Sequence, residues 1–457
     1  MAIWLEVAWL LTRKTRMLDP IHLSPRVYLY DLVWGSRLFG VSFLDIPLSV
    51  KGSSMFTPGR ASQTTPIPHS LKFSLKNDIT QHEIAALKTR FNLADAHTHQ
   101  SQSASQRRIV ENLPNLWYSA ENHSQHQSEQ EFIDTFYRFN GQYRALERKN
   151  EIYLVYAASI GMHITATYLQ KKRLKLGLIE PCFDNLHDLM MHMELPISPL
   201  PESLLGDPSA VYRNLQEHAG QLDAIVLVDP NNPTGFSLLS PKTDAFREIV
   251  RFCADYDKML ILDLCFAAFI LASGHQRPDV YAILEDSGVS YIAMEDTGKT
   301  WPLQDAKCST IMASRDVNDE IYKIVTSVLL NVSPFILKLV TRYVQDSAAD
   351  SFASVSETLE LNRQRVRTQL EGTLLRYCEP MVQTSVAWFE ITDLRVSADD
   401  LQAYLLDHQI YVLSGKHFYW HEPARGQRFI RIALARDPRM FDQASSALRR
   451  ALDSYHG

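Results

Sequence analysis

Three apolar stretches of the sequence each lead into a residue that can take part in covalent or acid–base chemistry. The stretches and their residues are 224–228 with Asn232, 259–262 with Asp263, and 291–294 with Lys299. A lysine amine can form an imine with a carbonyl group or accept a proton, and a carboxylate can keep a neighbouring group cationic. Because open α/β sheets bind ligands at the carboxyl ends of their strands, we expect these side chains to share one site.

An arginine near the C-terminus adds a group that can bind an anion. Arg431 lies in the strand-like segment Phe429–Leu434, where its neighbours on both sides are apolar. These neighbours predict that the guanidinium is buried, and a buried guanidinium requires an anion. Its planar fork is suited to a carboxylate, which it can bind through two parallel hydrogen bonds.

The elements that position these residues are short apolar strands that alternate with helices. Helix-length segments such as 245–256 separate the strands, and this alternation predicts a mostly parallel sheet covered on both faces. Further along, a long helical stretch at 335–371 precedes strands at 387–391 and 429–434 and a helix at 398–406. The sequence therefore predicts an α/β fold: a large domain with a mostly parallel mixed sheet, and a smaller α+β domain.

The order of the chemistry-bearing residues resembles that of a known family. The turn Asn231-Asn232-Pro233-Thr234-Gly235, then Asp263, then Lys299 resemble the ordered motifs of the class I/II aminotransferases, fold-type-I enzymes that depend on pyridoxal 5′-phosphate (PLP). The resemblance implies that Lys299 and Asp263 are catalytic. Lys299 would bind PLP as a Schiff base and move the substrate's Cα proton, and Asp263 would keep the pyridine ring an electron sink.

The resemblance also implies further contacts to the cofactor and the substrate. Arg431, with Asn232, falls where the family binds the substrate's α-carboxylate. Two positions depart from the family pattern, since Phe266 replaces a tyrosine and Lys307 replaces an arginine that contacts the phosphate. The cofactor-binding residues implied are Ser159, Ile160 and Gly161 at a phosphate-binding helix start, Phe183 stacked on the ring, Asn232, Asp263, Phe266, Thr297 with its hydroxyl on the phosphate, Lys299, Lys307, and Tyr118, which would reach the phosphate of a neighbouring subunit. A homodimer is therefore expected, and no metal site is predicted.

The resemblance leaves the reaction open. The first hypothesis is an aminotransferase that acts on an amino acid. The alternative is a β- or γ-elimination, replacement or cyclisation enzyme of natural-product biosynthesis, acting on S-adenosylmethionine or an arginine-type substrate, because the departures at Phe266 and Lys307 suit a specialised enzyme. A third hypothesis, a DNA-binding regulator with an aminotransferase-like domain, is disfavoured because the first 110 residues contain no basic helix-turn-helix pattern.

Composition narrows the class of protein further. Acidic residues outnumber Lys and Arg by 52 to 46, and the net charge of −6 provides no field that would hold nucleic acid or an anionic membrane. The five cysteines show no C-x-x-C spacing, which favours reduced thiols, and a cytoplasmic location is expected. The apolar stretch 3–11 is too short to span a bilayer and lacks the pattern of a signal peptide, so we interpret it as an amphipathic arm.

Two stretches rich in Ser, Gln and His, 94–108 and 119–130, are expected to be exposed loops. Their histidines, interpreted as solvated side chains, are His97, His99, His123 and His126. The domains predicted are residues 1–75 as an N-terminal arm with part of the small domain, 76–325 as the large PLP-binding domain, and 326–457 as the small C-terminal domain.

Overall fold

The computed structural model of the protein describes residues 78–455, and these belong to one structural unit, Thr64–Gly457. The amphipathic arm predicted at the N-terminus lies outside the described residues. Among the helices of residues 78–455, none has both the length and the apolar composition that a membrane span requires.

The first part of the described chain contains eight strands, and all of them except β1 form the larger, seven-stranded sheet. The strands are β1 (Phe91–Asn92), β2 (Tyr153–Val155), β3 (Leu176–Glu180), β4 (Ile197–Pro201), β5 (Ala224–Val228), β6 (Met259–Asp263), β7 (Tyr291–Asp296) and β8 (Ser309–Ala313). The sheet has the order β2-β8-β7-β6-β5-β3-β4. Strands β3 to β7 pair in parallel, and β8 runs antiparallel to β7 and β2. The predicted α/β fold with a mostly parallel mixed sheet is confirmed. Every residue of β5 and β6 is buried, as expected for strands covered on both faces.

Helices surround this sheet. Up to residue 328 they are α1 (Ile79–Ala86), α2 (Ala104–Glu111), α3 (Leu113–Glu121), α4 (Gln125–Phe139), α5 (Tyr143–Leu146), α6 (Ala158–Lys172), α7 (Asp184–His192), α8 (Glu202–Leu205), α9 (Val211–His218), α10 (Asp244–Asp255), α11 (Phe269–Ala272), α12 (Val280–Ser287) and α13 (Arg315–Val328), with a 3₁₀ turn at Lys149–Glu151.

Helices occupy part of the two stretches that were predicted to be loops. Helix α2 begins after Ser103 and α4 after Ser124, and each serine accepts a hydrogen bond from the backbone N–H three residues on. In return, the side chains of Gln106 and Gln127 accept from the serine N–H groups, which completes a capping box at both helix starts. The Ser and Gln residues therefore mark the beginnings of helices, and the loop prediction is wrong there.

The second part of the described chain forms a four-stranded antiparallel sheet with helices. Its elements are α14 (Pro334–Ala349), α15 (Ala353–Leu370), β9 (Leu375–Cys378), β10 (Val386–Ile391), α16 (Ala398–Asp407), β11 (Ile410–Tyr411), β12 (Leu413–Ser414), a 3₁₀ turn (Gly415–Phe418), α17 (Pro423–Gly426), β13 (Phe429–Ala433) and α18 (Pro438–Asp453). The sheet has the order β12-β13-β10-β9. The long helix predicted at 335–371 is two helices, because the chain turns through positive φ angles at Ser351 and Phe352.

A short parallel pair joins distant parts of the chain. Strand β1 pairs with β11 in the register Phe91 to Ile410, so the segment after β1 lies beside the C-terminal sheet.

The domain boundary predicted at residue 325 falls inside α13, and the division into domains stays a prediction.

Candidate functional site

The carboxyl ends of β5, β6 and β7 form one edge of the large sheet. Val228 pairs with Asp263, and Asp263 pairs with Met294, so the three strands end side by side. The turn after β5 carries Asn232, and the turn after β7 carries Lys299. The structure thus brings the three strand-end residues to a common edge, as the sequence predicts.

The turn after β5 has a backbone that only glycine can complete. Gly235 has a φ of +69°, and a Cβ placed there would lie 2.5 Å from Pro380 Cβ. Asn231 Nδ2 donates hydrogen bonds of 2.6 Å to the carbonyl of Pro181 and to Glu202 Oε1. These contacts fix Asn231 in the protein interior. They do not involve the side chain of the next residue, Asn232, which can therefore serve the site.

Arg431 is the cation of the site. It is fully buried on β13, and its Nη1 donates a hydrogen bond of 3.1 Å to Asn232 Oδ1. Its Nη2 donates to Glu83 Oε1 at 3.1 Å and to the carbonyl of Ala94, whereas its Nε is buried without a partner. Burial lowers the pKa of Arg431. Arg431 and Asn232, which are predicted to bind the same substrate carboxylate, thus lie in contact, and Nε and one hydrogen of Nη1 remain available for a ligand.

Two buried carboxyl groups stand at the strand ends. Asp263 Oδ1 accepts the N–H of Cys265 at 3.0 Å, and burial raises the pKa of Asp263 against the opposing effect of Lys299. Asp296, the last residue of β7, accepts the N–H of Gly298 through Oδ2, while its buried Oδ1 has no partner. Asp296 is not among the predicted site residues, although it ends an apolar strand in the same way as Asp263.

A histidine lies next to the predicted catalytic lysine. The Nζ atom of Lys299 is 3.4 Å from His97 Nε2, and His97 Nδ1 is 2.6 Å from Asp95 Oδ1. The second oxygen of Asp95 lies 2.5 Å from His99 Nε2. Burial raises the pKa of Asp95, but the hydrogen bonds of the two histidines outweigh it and hold this pKa far below its usual value.

This cluster corrects the interpretation of the loop histidines. The side chain of His97 is only 33% exposed, and its ring is held between Asp95 and Lys299. His123 and His126 are exposed, as predicted. A signal for the difference existed in the sequence, because Asp95, His97 and His99 alternate shortly after β1 and can therefore point to one side.

The predicted phosphate-binding helix start is α6. The residue before it, Ala157, provides no side-chain cap, so the first N–H groups of the helix have no side-chain acceptor and can bind an anion. Ser159 is exposed and Ile160 half-buried in this first turn. Gly161 serves the packing of α6 against the sheet, since a Cβ there would lie 3.3 Å from Ile311 Cγ1.

Two further residues predicted to contact the phosphate are engaged with protein groups. The hydroxyl of Thr297 donates to the carbonyl of Cys308 and accepts from its N–H, each at 2.9 Å. Contrary to the prediction, it therefore has no proton left for a phosphate. Lys307 Nζ lies 3.0 Å from Asp305 Oδ1, and its stem passes over Gly298, where a Cβ would lie 2.5 Å from Lys307 Cδ.

The aromatic residues of the prediction occupy different surroundings. Phe183 is half-buried and is the residue immediately before α7. Phe266 is buried and packs with its ring centroid 5.6 Å from that of Phe269. Tyr118 is 61% exposed on α3.

Acidic groups that the sequence analysis did not single out gather around Arg431. Glu83, Asp95 and Asp184 all raise the pKa of Arg431 through their charge. Asp184 Oδ2 accepts the N–H of Ile79 at 2.9 Å, and its buried Oδ1 has no partner. Burial raises the pKa of Asp184 to about 7. Glu83 and Asp95 also act on the buried Arg436, so among the three carboxyl groups it is Asp184 that has a free oxygen for a further donor.

The arrangement fits PLP. The uncapped start of α6 offers N–H groups to a phosphate, the amine of Lys299 suits an aldehyde, and the buried Asp263 suits a cationic ring nitrogen. The close approach of Lys307 to Gly298 adds a positive charge beside Lys299. These donors and acceptors match the chemical groups of the cofactor.

Comparison with known proteins supports the same conclusion. The family model described as "Aminotransferase class I and II" matches residues 121–448. A search of curated proteins with the sequence found no significant match.

Several solved structures are similar to this chain. MppP, in a structure described as soaked with the product 2-ketoarginine, is 29% identical with a TM-score of 0.73, and the match covers 79% of this chain and 99% of MppP. The α-aminoadipate aminotransferase LysN from Thermus thermophilus, complexed with N-(5′-phosphopyridoxyl)-L-leucine, is 14% identical with a TM-score of 0.67 over 84% of this chain and 98% of its own. A PLP-bound putative aminotransferase from Clostridium difficile 630 is 15% identical with a TM-score of 0.66 over 86% and 100%, respectively. The last two similarities concern the fold alone.

Proposed function

The chain belongs to the aminotransferase class I and II family and is a PLP-dependent enzyme, and on this premise we propose that it removes the α-amino group of an arginine-type amino acid to form the 2-oxo acid. The observation that carries the proposal is the buried carboxyl group of Asp184, whose Oδ1 has no hydrogen-bond partner and whose charge acts on Arg431. This unpaired acceptor suits a substrate that brings a positively charged hydrogen-bond donor in its side chain.

The α-carboxylate of the substrate is assigned to Arg431 and Asn232. The buried Nε of Arg431 lacks a partner, and its Nη1 is already oriented by Asn232 Oδ1. A guanidinium binds a carboxylate through two parallel N–H donors, and in this protein it would do so out of contact with water. Glu83 competes for the same guanidinium and thereby keeps Arg431 paired when no substrate is bound.

The side-chain cation of the substrate is assigned to the acidic groups. Asp184 has a buried oxygen without a hydrogen-bond partner, and leaving such an acceptor unpaired costs about 1–3 kcal/mol. A guanidinium group would satisfy it. The similarity to MppP, whose structure is described with the product 2-ketoarginine, supports an arginine-type substrate.

Proton transfer is assigned to Lys299 and His97. When bound, PLP supplies the electron sink that makes the substrate's Cα proton acidic. Lys299 Nζ then takes this proton, and His97 Nε2, 3.4 Å away, accepts a proton from Lys299 and later returns it. Asp95 orients the imidazole through Nδ1, in the manner of the aspartate of a catalytic triad.

The remaining family contacts belong to the same proposal. Asp263 would hold the ring nitrogen in its protonated form, Phe183 would pack against the ring, and the start of α6 with Lys307 would hold the phosphate. We further propose a homodimer in which Tyr118 completes the site of the neighbouring subunit. The exposure of Tyr118 and of the adjacent Trp117, 61% and 53%, supports this assignment.

The test is to incubate the PLP-loaded enzyme with arginine, lysine, leucine, glutamate or S-adenosylmethionine, each with a 2-oxo acid as amino acceptor, and to identify products by mass spectrometry. We expect arginine to yield its 2-oxo acid with conversion of the acceptor to an amino acid. A product that keeps its nitrogen and loses a leaving group or closes a ring would support the alternative reaction. Turnover of leucine or glutamate in preference to arginine would contradict the arginine-type substrate.

A matched pair of variants tests the side-chain site. Asp184→Asn removes the charge of the carboxyl group whose Oδ1 has no partner. This variant is expected to lower kcat/KM for arginine more than kcat/KM for a neutral amino acid. Asp188→Asn removes a charge from the same helix. The Asp188 side chain is 45% exposed and pairs with His187. This control is expected to leave the ratio of the two activities unchanged.

A further inference from the structure

Arg436 is a buried arginine that forms no ion pair within residues 78–455. It lies just after β13 and is 1% exposed. Burial lowers the pKa of Arg436 to about 10, with Asp95 acting in the opposite direction. A guanidinium in such a position is costly unless its donors are satisfied, so the hydrogen bonds of Arg436 indicate what it is there to hold.

Nearly all of these hydrogen bonds go to one segment, residues 92–97. Nε donates to the carbonyl of Asn92 at 2.7 Å, and Nη1 donates to the carbonyl of His97 at 3.0 Å. Nη2 donates to the carbonyl of Asp95 and, at 3.4 Å, to Asn92 Oδ1. One further bond, from Nη1, goes to the carbonyl of the adjacent Ala435. The guanidinium thus binds both ends and the middle of the segment.

The segment has little regular structure of its own. After β1 ends at Asn92, no helix or strand forms until α2 begins at Ala104. Its other supports are individual hydrogen bonds, such as Ala96 N–H to Glu83 Oε1 at 3.3 Å and Asp95 N–H to Asn92 Oδ1 at 3.2 Å. Backbone hydrogen bonds hold the flanks of the segment, at Leu93 and at His99, whereas the backbone of residues 95–97 is held by side chains.

We propose that Arg436 is a positioning residue of the active site, which sets the distance between His97 and Lys299 by clamping the backbone of residues 92–97. The inference rests on the proposed function, in which His97 exchanges a proton with Lys299. A displacement of about 1 Å in a reacting group can reduce the rate on the order of 10²-fold, so the clamp affects the rate even though Arg436 does not reach the reacting atoms.

The test compares Arg436→Lys with a matched control, Arg363→Lys. Both arginines are 1% exposed, and Arg363 also donates to a buried backbone carbonyl, that of Thr384, but it lies on α15 and holds no residue of the site. Each variant keeps the charge and loses the fork. We expect Arg436→Lys to lower kcat by roughly 10-fold to 100-fold at a nearly unchanged KM, and Arg363→Lys to change only the melting temperature.

Hydrogen exchange of the cofactor-free protein provides a readout that does not depend on activity. In Arg436→Lys, the amides of residues 93–97 are expected to exchange faster than in the unsubstituted protein, and those of β5 and β6 at the same rate. In Arg363→Lys, residues 93–97 are expected to be unchanged. Equal protection of residues 93–97 in all three proteins would overturn the proposal.

A double variant separates this inference from the proposed function. If Arg436 acts through His97, Arg436→Lys costs no further activity once His97 is replaced by Gln, because the two losses are then not additive. Multiplicative losses would show a general structural role and overturn the proposal. Full activity of His97→Gln alone would instead refute the proposed role of His97.

Should Arg436→Lys not fold, Asn92→Ala removes an acceptor at the other side of the same clamp, and the same exchange pattern is expected.

Discussion

Lys299 Nζ lies 3.4 Å from His97 Nε2, although the two residues are 202 positions apart in the chain. The lysine follows β7 of the large sheet, and the histidine belongs to the segment after β1, which pairs with β11. A lysine that must accept and release protons is thus placed beside an imidazole that is itself oriented by Asp95.

Lys299→Ala is expected to abolish turnover, because it removes the amine that is assigned to bind the cofactor and to take the proton. The measurement is product formation, together with the mass of the protein after incubation with PLP and reduction by borohydride. The unsubstituted protein is expected to gain the mass of the cofactor at Lys299. Retained activity, or modification of another lysine, would refute the assignment.

His97→Gln is expected to lower kcat by about 10²-fold to 10⁴-fold, the usual contribution of a positioned acid–base group. Cofactor attachment to Lys299, measured by the same reduction, is expected to persist because the amine is still present. His123→Gln is the control, because the His123 ring is exposed and its Nδ1 contacts the carbonyl oxygen of Ser119, at 2.7 Å, and not Lys299. Equal activities of the two variants would show that His97 has no part in proton transfer.

Arg431→Lys is expected to raise KM for the amino acid substrate. A lysine keeps the charge but loses the planar fork, and losing a hydrogen bond to a charged group costs about 1.5–3 kcal/mol. Steady-state kinetics measure the effect, with Arg428→Lys as a control because that guanidinium donates to the backbone carbonyls of Ile391 and Asp393, outside the site. An unchanged KM would exclude Arg431 as the carboxylate-binding residue.

Glu202→Gln is expected to make the stability of the protein less dependent on pH. Burial raises the pKa of Glu202 from 4.5 to about 7, so between these values the folded protein binds more protons at this residue than the unfolded chain does. The free energy of unfolding therefore falls as pH rises from about 4.5 to 7, and the Gln variant lacks this contribution. Urea denaturation of both proteins at several pH values measures it, and parallel curves would contradict the raised pKa.

The strand ends of the site could be predicted from the sequence because their signals are local. Uninterrupted apolar runs predicted β5, β6 and β7 to within a few residues, and the residue types after them predicted Asn232, Asp263 and Lys299 as neighbours at one edge. Family resemblance added PLP, which the comparisons confirm. The family assignment needed no contact between distant elements, since it depends on the order of motifs along the chain.

The residues around Lys299 could not be predicted in this way. His97 and Asp95 lie in a segment whose Ser, Gln and His composition is typical of exposed loops, and Arg436 looks like any arginine after a strand. Thr297 shows the opposite error, because its position in the motif suggested a phosphate contact and its hydroxyl instead bridges to Cys308.

The sequence by itself determined the α/β class, the strand ends and the cofactor, because these follow from apolar patterns and motifs of neighbouring residues. Only the tertiary structure decided that Glu83 pairs with Arg431, 348 positions away, and that His97 lies beside Lys299. The pairing of β1 with β11 and the hydrogen bonds of Arg436 bring these groups together, and contacts between such distant residues leave no periodic trace in the chain.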